Sequence, residues 1–353
     1  MRRAVQVALG LAISAAALWF TLRGKDLGAI WAEMRAADYR YLAPYLAILL
    51  CMHLARTLRW GLLLAPVAKV PFARLNAIAA VGFMALMLLP FRLGEFARPY
   101  LIAEPGKLRM STALSSVVAE RIVDGIFTGL LLSVTMLAVP DSAPGVRVLR
   151  AGGVVVSLVF LGGLGFLVLA YRNRALAVRI AGAVLRPFSH GLAARVEGML
   201  DAFIHGLRLV PGPRKLAAFV ALTFAFWGLN AFGMKVMALG FGFHLGLLES
   251  CALLGVLVVG IMIPAGPGMV GTFQGAIVVG LGLFAPAAAV ATRGTAYANV
   301  VWGTQLVQQT ALGTFFLFSR HIQLARLTSA PREVGAELRS EEEEYRAGEG
   351  ERA

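Results

Sequence analysis

Apolar runs of about twenty residues recur along this chain, and a helix of that length is what crosses a hydrocarbon core roughly 30 Å thick. Runs bounded by charge or proline lie near 4–22, 42–65, 113–139, 148–170, 215–239 and 297–319. Two more apolar stretches, 76–103 and 248–285, are interrupted by Pro and Gly and read as broken or re-entrant helices. Charged residues make up 15% of the 353, where a soluble domain carries about 25%. The expected fold is an all-α integral membrane protein, a polytopic helical bundle over 1–320 with a charged, disordered cytoplasmic tail over 321–353. That excludes an ordinary cytosolic enzyme.

The first run follows Met1, Arg2 and Arg3, as a signal peptide would, but it is long enough to span and no A-x-A cleavage pattern follows it. It is expected to be a retained first helix. Lys and Arg outnumber Asp and Glu by 33 to 19, a net +14, and in membrane proteins such an excess gathers on cytoplasmic loops. Residues 171–215 hold eight Lys or Arg against Glu197 and Asp201, whereas 140–147, 240–247 and 286–296 are nearly free of Lys and Arg. The first loop is therefore cytoplasmic and the other three face outward, which puts both termini inside. Within 171–215, Leu192, Val196, Met199, Leu200, Phe203 and Leu207 recur at helical spacing. They describe an amphipathic helix lying on the membrane surface or packed on the bundle. The basic excess meets anionic headgroups, and nucleic acid is not implied. Cys51 and Cys251 offer neither a disulfide framework nor metal-ligand spacing, and no cofactor is called for.

The two interrupted stretches resemble each other. Pro90 is followed by Gly94, and Pro264 by Gly268, each between apolar segments. Three spans separate them, an odd number, so the two units enter the membrane from opposite sides as an inverted repeat. Broken backbone inside a bilayer is tolerated where it is buried in protein or lines a wet cavity, and a matched pair of such breaks points to a transport site between repeats. Gly125/Gly129 and Gly271/Gly275 fit close helix packing better than a ligand role.

Span 113–139 carries Glu120, Arg121 and Asp124, too deep for short carboxylates to reach water easily. Glu120 and Asp124 are one turn apart on one face, and Arg121 can pair with Asp124. This is an intramembrane charge network, either functional or an ion pair that fixes packing. The first break supplies Arg92, Glu95 and Arg98, while span 42–65 supplies His53, Arg56 and Arg59 at three-residue spacing. Together they suit the binding of a phosphate-bearing lipid headgroup through arginine. For Arg56 and Arg59 the alternative is snorkelling to the interface beside Trp60. The second break is neutral, with Gly268, Thr272 and Gln274 able to contact a headgroup without charge.

These residues give the chain a resemblance to the lysylphosphatidylglycerol synthase transmembrane-region family, a flippase-like membrane domain that also occurs as stand-alone proteins. The resemblance rests on Arg56-Thr57-Leu58-Arg59-Trp60, on Leu89-Pro90 through Gly94-Glu95 to Arg98-Pro99, on Glu120-Arg121-Ile122-Val123-Asp124, and on Pro264 through Pro267-Gly268 to Gly271-Thr272-Phe273. It covers about 1–320 and implies a lipid-translocating bundle in the cytoplasmic (inner) membrane. In the full synthase a separate soluble domain transfers an amino acid to phosphatidylglycerol. Only about 34 residues follow the last span here, so that activity is not expected to carry over. Where the family's second break can bear an acid, this chain has Gln274, and no acid-dependent step is implied on that side.

The function expected is translocation of a polar or phosphate-bearing lipid, whether a phospholipid or a polyprenyl or terpenoid lipid, by a protein that is not an enzyme. No HExxH, GxSxG or P-loop pattern is present. The competing reading is a membrane scaffold or lipid-binding subunit serving a partner lipid-modifying enzyme, and homo-oligomerisation stays open.

Overall fold

The computed structural model describes residues 2–104, 108, 110–141, 143, 145–185, 212–263 and 265–319. Pro264, most of the amphipathic segment (186–211) and the tail lie outside these residues. The described elements are helices: α1 (Arg2–Leu22), α2 (Leu27–Ala36), α3 (Leu42–Leu64), α4 (Phe72–Leu88), α5 (Ala97–Ile102), α6 (Met110–Leu137), α7 (Val146–Arg172), α8 (Arg174–Leu185), α9 (Pro213–Leu239), α10 (Leu247–Ile261), α11 (Thr272–Leu281) and α12 (Thr295–Leu317), joined by short 3-10 and π turns. The six expected spans match α1, α3, α6, α7, α9 and α12. Among the described residues three helices are both long and apolar enough to cross a membrane, Tyr39–Leu64, α7 and α9. The helices α6 and α12 have the length, 28 and 23 residues, but carry charges and glutamines that must face inward.

Packing sets the direction of each helix. The helix α9 runs antiparallel to α3: Gly233 sits against Tyr45 and Ile48, while Phe219 and Thr223 lie at Arg59. Gly125, Gly129 and Gly153 let α6 and α7 touch at Phe160, Ser157 and Ser133, which is the close packing expected of that glycine pair. Gly271 and Gly275 do the same against Ser14, Leu18 and Thr21 of α1.

Both interrupted stretches are helical hairpins. In the first, α4 ends at Leu88, a 3-10 turn runs Pro90–Phe96, and α5 returns along α4. Arg98 lies on Gly82, and Arg74 pairs with Glu104 at the mouth. Gly94 is pressed so close to the α4 backbone that a Cβ would stand 2.1 Å from the Leu86 nitrogen. In the second, α10 and α11 are joined through the turn Pro267–Met269, and Gly260 and Gly280 meet Ala276 and Leu253 across the hairpin.

The two mouths are at opposite ends of the bundle. The helix α4 begins where α3 ends, and α10 begins where α9 ends, beside the start of α3. At the tips, Arg92 of the first turn donates to the Ile261 carbonyl of the second hairpin at 3.5 Å. The core divides accordingly, with Trp60, Leu64, Ile78 and Ile102 packed at one end and Met237, Leu253, Ile277 and Tyr297 at the other. A cavity lies between.

Candidate functional site

The cavity, about 460 Å³, is bounded by α3, α4, the first hairpin's tip, α6, Phe160 of α7, α9, α10, Met269 of the second tip, Phe273 of α11, and α12. Its charged lining is Arg56, Arg92, Glu95, Arg121 and Asp124, and its neutral polar lining includes His53, Thr128, Asn230, Gln305 and Gln308. Phe83, Phe160, Phe226, Trp227 and Phe273 supply apolar wall.

Partly in the lining and partly behind it, three carboxylates bind four arginines in one network. Glu120, fully buried, accepts from Arg59 Nη2 at 2.8 Å, from Arg98 Nη1 at 2.9 Å and from Arg121 Nη2 at 3.0 Å. Asp124 accepts from Arg59 at 2.5 and 2.9 Å and from the Trp227 indole at 3.1 Å. Its other contact is Arg121 Nη2 at 3.2 Å. Glu95 stands at the cavity edge, 3.3 Å from Arg92, 3.7 Å from Arg98 and 3.8 Å from Arg121. The one-turn spacing of Glu120 and Asp124 lets both carboxylates grip Arg59 from one helix face. Buried charges stay ionised at tolerable cost only when paired and hydrogen-bonded in this way.

Snorkelling does not describe Arg59. Its side chain is fully buried, and the Trp60 indole beside it donates inward to Ser116 Oγ at 3.1 Å. Neither Arg59 nor Arg98 lines the cavity. They tie α3 and the first hairpin to α6.

Arg56 differs from the other four arginines. No ion pair is found for it among the described residues. Its Nε is buried without a hydrogen-bond partner, and its guanidinium lies 3.5 Å from the Phe83 ring centroid and 5.5 Å from that of Phe226. Two aromatic faces hold this cation at the cavity wall by cation–π attraction. Five guanidinium groups thus face three carboxylates, and the surplus is on the cavity side.

The neutral break is placed differently. Gln274 Oε1 accepts from the Gly271 amide at 2.7 Å, Thr272 Oγ1 donates to the Met269 carbonyl at 3.0 Å, and the Gly268 carbonyl accepts from the Trp302 indole at 2.7 Å. All three are used in building the tip and lie outside the cavity lining, where Met269 and Phe273 stand instead. The structure therefore brings Arg56, Arg92, Glu95, Arg121 and Asp124 together, with Arg59, Arg98 and Glu120 behind them, but not Gly268, Thr272 and Gln274.

Sequence reasoning passed over Met269, Trp227, Asn230, Gln305 and Gln308. Among the described residues, Arg92 and Met269 are the two non-glycine residues with positive φ, 57° and 53°, one at each tip, and both line the cavity. Such left-handed backbone costs of order 1–3 kcal/mol and persists where surroundings impose it. It leaves no sequence signal. Asn230 and the glutamines did leave one, as amides inside apolar spans.

A family model described as the lysylphosphatidylglycerol synthase TM region matches residues 7–303. No curated protein and no solved structure matches the chain. The matched stretch takes in both hairpins and the whole charge network, as the resemblance of the arginine, Glu120–Asp124 and Pro-Gly motifs had implied. This is a multi-pass helical membrane protein that belongs to the lysylphosphatidylglycerol synthase TM region family.

Proposed function

We propose that the protein moves a lipid with an anionic, phosphate-bearing headgroup between the leaflets of the cytoplasmic membrane. The headgroup occupies the cavity between the two hairpin tips, and alternating exposure of that cavity carries it across. The observation that supports this most strongly is Arg56: a cation with no carboxylate partner among the described residues, set in the wall of a cavity inside a membrane bundle. Arg92 and Arg121 stand on the same lining, and guanidinium groups bind phosphate oxygens through paired hydrogen bonds. Glu95, shared among Arg92, Arg98 and Arg121, is placed to exchange partners when the headgroup arrives.

Entry of the two hairpins from opposite ends fits an inverted repeat, in which rocking of one unit against the other opens the site first to one side and then to the other. The end of α7 and the start of α9 fall at the end of the bundle where α3 ends, and we read that end as cytoplasmic because the sequence joining the two helices, 171–215, is basic.

The reading is of a carrier, not an enzyme. Thr128, the one hydroxyl among the described lining residues, donates to the Asp124 carbonyl at 2.8 Å and is not poised as a nucleophile. In reconstituted vesicles with labelled phospholipids and polyprenyl phosphates, wild type should flip anionic lipids, and an Arg92→Ala, Glu95→Gln double variant should lose most of that rate. Equal flipping by the two proteins would defeat the assignment.

A further inference from the structure

A second hollow, about 670 Å³, runs along the outside of the bundle between α2, α3 and α12. Its walls are apolar: Leu42, Leu46 and Leu50 on α3, with Val300, Val307 and Phe315 on α12. From Asn299 to Phe315 it follows α12 for about 24 Å at 1.5 Å per residue, most of a hydrocarbon core about 30 Å thick. Only a thin partition divides it from the headgroup cavity. Tyr45 of α3 accepts from Gln305 Nε2 of α12 at 2.9 Å. One turn along, Gln308 lines both hollows, and its Nε2 is buried without a hydrogen-bond partner. Gly303 opens the groove further, since a Cβ there would meet nothing within 4 Å.

We infer that the α3–α12 seam is the lateral portal of the carrier, with one hydrocarbon chain of the lipid lying in this groove while its headgroup occupies the cavity. The inference rests on the lipid-carrier reading and adds the route. A lipid's polar and apolar parts need adjoining sites of opposite character, and Gln308 marks where these two adjoin. The Tyr45–Gln305 hydrogen bond is neutral and single, worth about 1 kcal/mol net, so it can open as a headgroup passes. Gln308 then offers the passing phosphate an amide donor. Val155 and Val159, exposed on α7, line neither hollow and serve as ordinary lipid-facing surface.

Vesicles containing phosphatidylglycerol with a photoactivatable diazirine on one acyl chain distinguish a seated lipid from an annular one. Irradiation followed by peptide mass spectrometry should label Leu46, Leu50 and Val307. That label should fall at least fivefold in Arg56→Gln, which removes the headgroup anchor, and in Gly303→Trp, which fills the groove, while label on α7 stays constant. Excess short-chain phosphatidylglycerol should compete the seam label from wild type, a check that needs no variant to fold. Seam labelling that is absent, or indifferent to both Arg56→Gln and the short-chain competitor, would overturn the inference. Headgroup-dependent labelling in a protein that flips nothing would keep the seam as a binding site and reject transport. Flipping with headgroup-independent labelling would reject the seam alone.

Discussion

The two hairpins are built alike and finished differently. Both enter as an apolar helix, turn at a proline, place one non-glycine residue at positive φ, and return. The first tip carries Arg92, Glu95 and, on its returning helix, Arg98, and is bound to α6 by ion pairs. The second is neutral and held by its own amides, by Trp302, and by Ser14 of α1, whose hydroxyl accepts from the Gly266 amide at 2.8 Å. One tip is fixed by charge and can respond to a charged ligand; the other is fixed by backbone and supplies shape. A carrier of anionic headgroups needs both, because a cavity charged on all sides would hold its ligand too tightly to release it.

The contrast is broken most severely at Glu120, where α3 and the first hairpin meet α6. Glu120→Gln leaves Arg59 and Arg98 buried with one carboxylate charge fewer, and losing one partner of a buried pair costs about 3–5 kcal/mol. Thermal unfolding in detergent should show the loss. Gly94→Ala comes next. The new methyl would be driven into the backbone of α4, which cannot yield as a side chain can, and overpacking of this kind costs about 1–3 kcal/mol or more.

Arg56→Gln sharpens the distinction between structure and ligand binding. Its guanidinium holds no carboxylate, so the unfolding midpoint should stay near wild type while flipping of anionic lipid falls about tenfold, equivalent to 1.4 kcal/mol. Gln274→Ala should do the reverse. Loss of its cap on α11 costs about 1 kcal/mol of stability, and the ratio of anionic to zwitterionic lipid flipped should not change.

The six spans were legible because run length alone decides what can cross a bilayer. The Glu120–Asp124 network was legible because helical spacing fixes which side chains share a face. The depth of Arg59 was not: an Arg-Trp pair reads the same whether it snorkels or is gripped, and the deciding carboxylates are 61 and 65 residues away. Whether Pro90 and Pro264 mark broken helices or re-entrant hairpins also could not be read locally. It depends on Arg98 lying against Gly82 and on Gly260 meeting Ala276, contacts made only when the chain folds back. The neutral residues Gly268, Thr272 and Gln274 looked free to bind because sequence does not show that the tip uses them itself.

Native mass spectrometry of the purified protein tests most directly that Arg56 and the charged tip hold an anionic headgroup. Wild type should retain one phosphate-bearing lipid per chain, in preference to zwitterionic lipid, and the Arg56→Gln, Arg92→Ala double variant should release it while remaining folded. Equal retention by the two proteins, or a bound lipid without an anionic headgroup, would contradict that claim.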